Sequence, residues 1–242
     1  TSVGLPTVEA VTRRQAPVRA NGPNHVYGHR LSSGGREWLQ DWLFFSYNGQ
    51  DRGFARTGRH QGDWEFAQLR LSPAGTPDRL DLAQHSWAEG CGSRGFERRG
   101  PAPVIYVAND SHALYPRPGV AGRPWPDPND EADGQGRVVR PPVTEVSESR
   151  PRWMAYRGLW GRTRAGLAPG EESSPPGPRF QEDGRFSRSA AYSERVSRVR
   201  LDAAGSRLAG RPRRCRRLRH GCSGAVRRPP AARAPGNLES RW

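Results

Sequence analysis

The sequence predicts a mainly β chain: an antiparallel β-sandwich or jelly-roll-like single domain with long loops. Short apolar or alternating runs recur along it, each bounded by Gly, Pro, Asn or Asp. Its 242 residues include 29 Gly and 23 Pro, a composition rich in turns. No segment carries the long apolar periodicity of an amphipathic helix.

Residues 1–24 read as an irregular lead-in with prolines and few hydrophobics. Trp38 to Tyr47 is the most apolar stretch, short, aromatic and bounded by Gly34-Gly35 and Asn48-Gly49, which predicts a buried strand. An arginine-rich loop, 50–59, leads to a strand from Asp63 to Leu71. Ser72 to Asp78 is turn chemistry. Leu80 to Trp87 alternates as another strand, and Pro103 to Ala108 is a further core strand. Gly119 to Gly136 reads as a long loop, longer than a mere connector. Arg137 to Val139 resumes pairing, and the aromatics of Trp153 to Trp160 close the sheet.

All 39 basic residues are arginine, which first marks a GC-rich coding sequence. The net charge of +15 invites a nucleic-acid reading, but its distribution argues against one for most of the chain. Residues 181–242 hold 16 Arg against 5 acids, whereas residues 1–180 hold 23 against 19. That tail has poor apolar periodicity and cannot bury enough surface to order itself. It reads as a basic arm for nucleic acid or anionic lipid, or as out-of-frame sequence, the second being favoured. Cys91, Cys215 and Cys222 imply neither a disulfide framework nor a zinc spacing. No run reaches transmembrane length and no signal peptide is visible, so localisation stays open: soluble, with secretion or peripheral attachment both compatible.

The richest chemistry lies in His60-Gln61-Gly62-Asp63-Trp64-Glu65. On a strand, side chains two apart share a face, so Asp63 and Glu65 point one way and Trp64 and Phe66 the other. Two adjacent carboxylates repel unless a cation sits between them, and oxygen ligands suit calcium or magnesium. His60 lies just before the strand, where the backbone can turn its imidazole to the same point. The competing reading is an ordinary surface strand whose acids face water or pair with arginine.

This run resembles the HEGDWE signature of the vacuolar protein sorting-associated protein 62 family, with Gln61 in place of its glutamate. Three more blocks resemble that family in order. They are Trp38 to Phe45, then Val107 to Tyr115 against a G-S-H-A-x-Y block with Asp110 where glycine is usual, and Trp160-Gly161 followed by Ser173-Ser174-Pro175-Pro176-Gly177-Pro178. The resemblance spans about residues 25–180 and implies one domain there. A more distant likeness is to the GHRHDWE motif of the necrosis- and ethylene-inducing-like cytolysins. Its first histidine falls on His60, its Asp on Asp63 and its Glu on Glu65, while its second histidine falls on Gly62. In those β-sandwich proteins the motif serves a cation site used against membrane glycolipids. The resemblance therefore implies a cation role for His60, Asp63 and Glu65.

Two further clusters complete the candidate set. Asn109-Asp110-Ser111-His112 ends a core strand, where sandwich folds place binding groups, so His112 is a fourth candidate ligand and Asp110 a contact. A histidine that merely bonds a turn backbone is the equal alternative. His85 reads as a cleft-wall or structural histidine. Asp127 to Gly134 has the oxygen-rich composition of a calcium loop without the EF-hand pattern. A solvated acidic loop is its commoner reading, though Asp130 or Glu131 could lend a carboxylate to the site. Trp125 could anchor that loop or stack on a sugar.

These residues predict a divalent-cation-dependent binding module for a glycan or lipid headgroup. A metal-assisted hydrolase with His112 as acid or base is the alternative, although no motif names a reaction. Nucleic-acid binding through the tail is the third reading, unlikely for residues 1–180.

Overall fold

The computed structural model describes residues 9–12, 26–50, 58–85, 87–123, 127–162 and 172–181. It is a β-sandwich with an extra layer on each outer face. The larger sheet has six strands in the order β13-β2-β3-β4-β5-β6. These are β2 (Val26–Ser33), β3 (Arg36–Asn48), β4 (His60–Leu71), β5 (Pro77–Gln84), β6 (Trp87–Gly92) and β13 (Val143–Glu145). The second sheet runs β12-β1-β8-β7, with β9 also paired to β8. Its strands are β1 (Glu9–Thr12), β7 (Arg98–Arg99), β8 (Ala102–Val107), β9 (Leu114–Tyr115) and β12 (Arg137–Val139). β10 (Gly119–Ala121) and β11 (Asp130–Ala132) form a separate antiparallel pair. Pairing is antiparallel except at β1–β8 and β13–β2.

Three apolar clusters explain the layering. Between the sheets, Leu39, Leu43, Phe45, Ala67, Leu69, Leu80 and Leu82 meet Ile105, Val107 and Leu114. Outside the larger sheet, Trp42, Trp64 and Phe66 are covered by Val146, Met154, Trp153 and Trp160. Outside the second sheet, Val104, Tyr106 and Tyr115 are covered by Ala121 and Ala132 of the β10–β11 pair. Hence β3, β4 and β8 are buried on both faces, and β8 reads as a continuous apolar run. Trp42 and Phe66 are wholly buried, each contributing about 1.5–3 kcal/mol by removal from water. The β2–β3 turn is a two-residue hairpin on Gly34 and Gly35, both with positive φ (59° and 68°), as the twist of such hairpins demands.

Several expectations are corrected. Residues 9–12 of the lead-in form a strand between β8 and β12. The strand expected through Trp87 stops at Gln84, because His85 turns the chain at φ 57° and Trp87 opens β6. The expected loop from Gly119 to Gly136 contains the β10–β11 pair, so its apolar positions Ala121 and Ala132 are core. Trp153 lies in a 3₁₀ turn, Arg152–Ala155, that packs on the sheet rather than extending it. Cys91, buried in β6, is disulfide-bonded. The tail from 182 onward also lies outside the described residues.

Candidate functional site

β4 places Asp63 and Glu65 on the face that carries Ala67 and Leu69, while Trp64 and Phe66 take the other, as the alternation predicts. The shared face is not a surface. It looks into the space between the sheets, and Asp63 and Glu65 are only 7% and 6% exposed. A buried carboxylate must find donors. Asp63 finds two, both on Oδ2: Asn48 Nδ2 donates at 3.0 Å and His112 Nδ1 lies at 3.0 Å. Oδ1 keeps no hydrogen-bond partner among the described residues.

His112 is set by the turn between β8 and β9. Ala108 N–H donates to Ala113 O at 2.9 Å and His112 N–H to Ala108 O at 3.2 Å. Asp110 and His112 both adopt left-handed backbone, at φ 61° and 58°, an uncommon conformation for non-glycine residues that gathers at binding and catalytic sites. The His112 ring lies flat on Phe45, centroids 4.0 Å apart and planes 4° from parallel. Packed on one face and held through Nδ1, the imidazole leaves Nε2 without a partner among the described residues. Asp110 is exposed, and its carbonyl accepts the Gly49 N–H at 3.1 Å.

A second carboxylate organises the surroundings. Asp130 opens β11 and is 1% exposed. Its Oδ2 lies 2.9 Å from His85 Nε2 and accepts from Tyr115 Oη at 2.7 Å. Its Oδ1 accepts from Ser111 Oγ at 2.6 Å and Gln50 Nε2 at 3.2 Å. Burial pushes the Asp130 carboxyl up, but the bonds from His85, Ser111 and Tyr115 outweigh it, and the net displacement is downward. The Tyr115 hydroxyl is pushed well above its ordinary range, first by burial and then by the Asp130 charge. Gln50 also accepts from Arg123 at 2.6 Å, and Arg123 reaches Asp127 at 2.9 Å. Asn48 joins the two halves: it bonds Asp63, donates to Ser111 O at 3.3 Å, and accepts the Gln50 N–H at 3.0 Å. One network thus runs from Asp63 through Asn48 and Ser111 to Asp130.

The candidates named from the sequence separate accordingly. Asp63 and His112 are brought together, with Glu65 one step along the same face of β4. His60 is the first residue of β4, and its Nδ1 lies 2.8 Å from the Gly62 carbonyl. His85 and Asp130 pair with each other. Glu131 is exposed on β11, holding the network only through its carbonyl, which accepts the Asn109 N–H at 2.9 Å. Trp125 lies outside the described residues. Among the described residues, no three His, Cys, Asp or Glu side chains form a group able to hold a metal ion. Sequence reasoning missed Asn48, Gln50, Ser111, Tyr115 and Arg123. Asn48-Gly49-Gln50, a polar step directly after the aromatic strand, was the available signal.

The signature is backed by its own distant blocks. Trp160 packs edge-on against Trp64, centroids 5.1 Å apart. The Trp160 N–H donates to Pro175 O at 2.9 Å, and the Ser174 N–H to Arg162 O at 3.0 Å. The tryptophan-glycine and proline-rich blocks therefore meet behind β4.

A family model described as vacuolar protein sorting-associated protein 62 matches residues 34–123, the span from the β2–β3 turn past β10. Three of the four sequence blocks fall inside it. A search of curated proteins finds no match. Among solved structures, NLPPya in complex with mannosamine is similar at 14% identity, covering 58% of this chain and 68% of that one, with a TM-score of 0.36. NLPPya in complex with glucosamine is 13% identical over 60% of this chain and 66% of that one, TM-score 0.36. Necrosis and Ethylene inducing Protein 2 from the causal agent of cocoa's Witches Broom disease is 14% identical over half of each chain, TM-score 0.33.

Proposed function

Taking residues 34–123 as a domain of the vacuolar protein sorting-associated protein 62 type, we propose that this chain is a binding module that docks the hydroxyls of a glycan or lipid headgroup at Asp63 and His112. The observation that supports this reading is the Asp63–His112 pair itself. A nearly buried carboxylate holds an imidazole in left-handed backbone, and each partner keeps one polar atom unused: Oδ1 on Asp63 and Nε2 on His112. Such a pair offers two acceptors, or an acceptor and a donor, at fixed separation, which suits a vicinal diol. Asn48, Gln50 and Ser111 fix the pair from behind, so little ordering entropy remains to be lost on binding.

A calcium or magnesium ion belongs to the finer form of this reading. The protein side chains do not by themselves fit a closed cation site, because the donors of Asn48 and His112 occupy Asp63 and His60 is turned to its own strand. A cation here would rest on Asp63 and Glu65 and draw its other oxygens from ligand hydroxyls and water. None of the contacts named above is routed through it. The metal-assisted hydrolase is the second reading, since a carboxylate-oriented imidazole is also the arrangement of a general base. Among the described residues at the pair, the Ser111 hydroxyl is committed to Asp130 at 2.6 Å, so water would have to attack.

The test is calorimetric titration of glucosamine, mannosamine and their oligosaccharides into the chain, with and without calcium or magnesium. Asp63→Asn and His112→Ala are the comparison variants. Binding should weaken at least about tenfold in each variant, the loss of one hydrogen bond to a charged group. Affinity unchanged in both variants would remove the site. Ester or glycoside turnover that His112→Ala abolishes would favour the hydrolase.

A further inference from the structure

Asp41 is the least explained polar group in the protein. It lies mid-strand in β3, is 3% exposed, and its Oδ2 is fully buried without a hydrogen-bond partner. Cross-strand register places it between Gly28 of β2 and Ala67 of β4, which offer no polar side chain on either side. The parity of Leu39 and Leu43 sets it on the face between the sheets. A carboxylate left there in its ionised form would lack both water and a donor, which is among the costliest arrangements a fold can hold.

Among the described residues, the charged groups around it supply no counterion. On β2 and at the far end of β3, Arg30 and Glu37 pair with each other at 2.9 Å. On β13, Glu145 stands in the same row, beyond Gly28, and is exposed. On β4 the nearest groups are Glu65, diagonal to Asp41, and then Asp63 with His112. On β6, Glu89 ends the row beyond Leu82. It too is buried, and its Oε1 has no partner. The opposing strands β8 and β9 present Ile105, Val107 and Leu114. Among the described residues, Glu65, Asp63 and Glu89 are thus acidic neighbours, His112 is already paired with Asp63, and the Arg117 charge acts on Glu89.

We propose that Asp41 is a proton-controlled latch: it keeps its proton in the closed sandwich, and alkalinisation loosens the central strands that hold Asp63 and His112. This deepens the proposed binding site by giving it a regulator. It rests on that reading only for the identity of the site, and its test needs no ligand. Burial pushes the Asp41 carboxyl up from 3.8 to about 7. An acid whose folded value is raised binds a proton in the native state that the unfolded chain releases. Its stabilisation is therefore complete below the unfolded value and falls as pH climbs from 3.8 to about 7, then stays level. Over that window each pH unit lowers the folding equilibrium constant about tenfold.

The experiment is urea unfolding of the whole chain from pH 5 to pH 8, wild type against Asp41→Asn. The amide is close to the same shape and uncharged, so it mimics the protonated acid. Wild type should lose stability up to about pH 7, the difference from Asp41→Asn growing about tenfold per unit. Parallel profiles for the two proteins would overturn the latch. Carboxyl-carbon NMR of wild type, labelled at aspartate, decides independently should Asp41→Asn fail to fold. One aspartate should titrate near neutrality, whereas all aspartates ionising below about pH 5 would refute it. Amide exchange at Asn48 and Asp63 should rise between pH 5 and about pH 7 by more than intrinsic base catalysis requires, and less so in Asp41→Asn. Failure of sugar binding would leave all of these readouts intact, so the two proposals fail separately.

Discussion

Gly62 shows how one position constrains the signature. Its φ is 64°, and a Cβ there would meet the Trp160 carbonyl at 2.1 Å. The sequence placed a lost histidine at this position in the more distant motif. The structure supplies a physical reason for the loss, since a backbone carbonyl fills the space and cannot swing aside as a side chain could. Gly62→Ala should therefore cost about 2–4 kcal/mol, combining left-handed strain with overpacking. Chemical denaturation measures it. A cost under about 0.5 kcal/mol would mean the Trp160 segment yields freely. Asp63 and His112 were both legible as polar groups, but their partnership was not. They stand 49 residues apart, and only pairing of the β8–β9 turn with the end of β4 makes them neighbours.

At the scale of the strand, β3 and β4 were legible because aromatic residues fit a pleated surface, and Trp64 and Phe66 fell on the predicted face. The weaker elements were not. β10 and β11 have three residues each and carry Gly, Asp and Glu, so local propensity opposes them and tertiary cover by Tyr106 and Tyr115 decides. The outer face of the larger sheet also holds something composition could not disclose. His29, Gln40, Gln68 and Asp81 are in register on four successive strands and bond in sequence: 3.1 Å, 3.1 Å and 3.2 Å. Arg79 closes the row on Asp81 at 2.7 Å. A one-residue slip of any of these strands would turn its member to the other face and strand the rest without partners. The row thus favours one register over its neighbours. Gln68→Leu keeps the volume but removes the bonds to Gln40 and Asp81, both buried. Stability should fall by about 1–3 kcal/mol, since unsatisfied buried groups are what cost. An equally stable Gln68→Leu protein would reduce the row to incidental contact.

For the whole molecule, the displaced buried acids among the described residues fall on two opposed sides, and their balance shapes stability against pH. Asp130 has a folded value displaced below 3.8, so its stabilisation is complete above the unfolded value and is lost as pH falls through the folded one. Asp41 works in the reverse direction, from 3.8 up to about 7. Glu89 is also raised, by burial that outweighs its bond from Gln84 and the Arg117 charge, and it adds to the same decline from 4.5 upward. The arginines do not titrate anywhere in this range, so the large positive charge sets no slope of its own. Stability should therefore peak on the acid side of neutrality, near pH 4 by the meeting of the two sets, and fall on both sides. Thermal unfolding scanned from pH 2.5 to pH 8 would trace the curve. In Asp130→Asn the acid limb should flatten, at a large uniform cost, because the amide keeps one acceptor oxygen, and either Tyr115 and His85 or Ser111 and Gln50 then face an NH2 donor. In Asp41→Asn the neutral limb should flatten instead, leaving the share of Glu89. A wild-type maximum at pH 7 or above would contradict the assignment of both Asp41 and Glu89, because acids whose folded values are raised cannot gain stability from alkali.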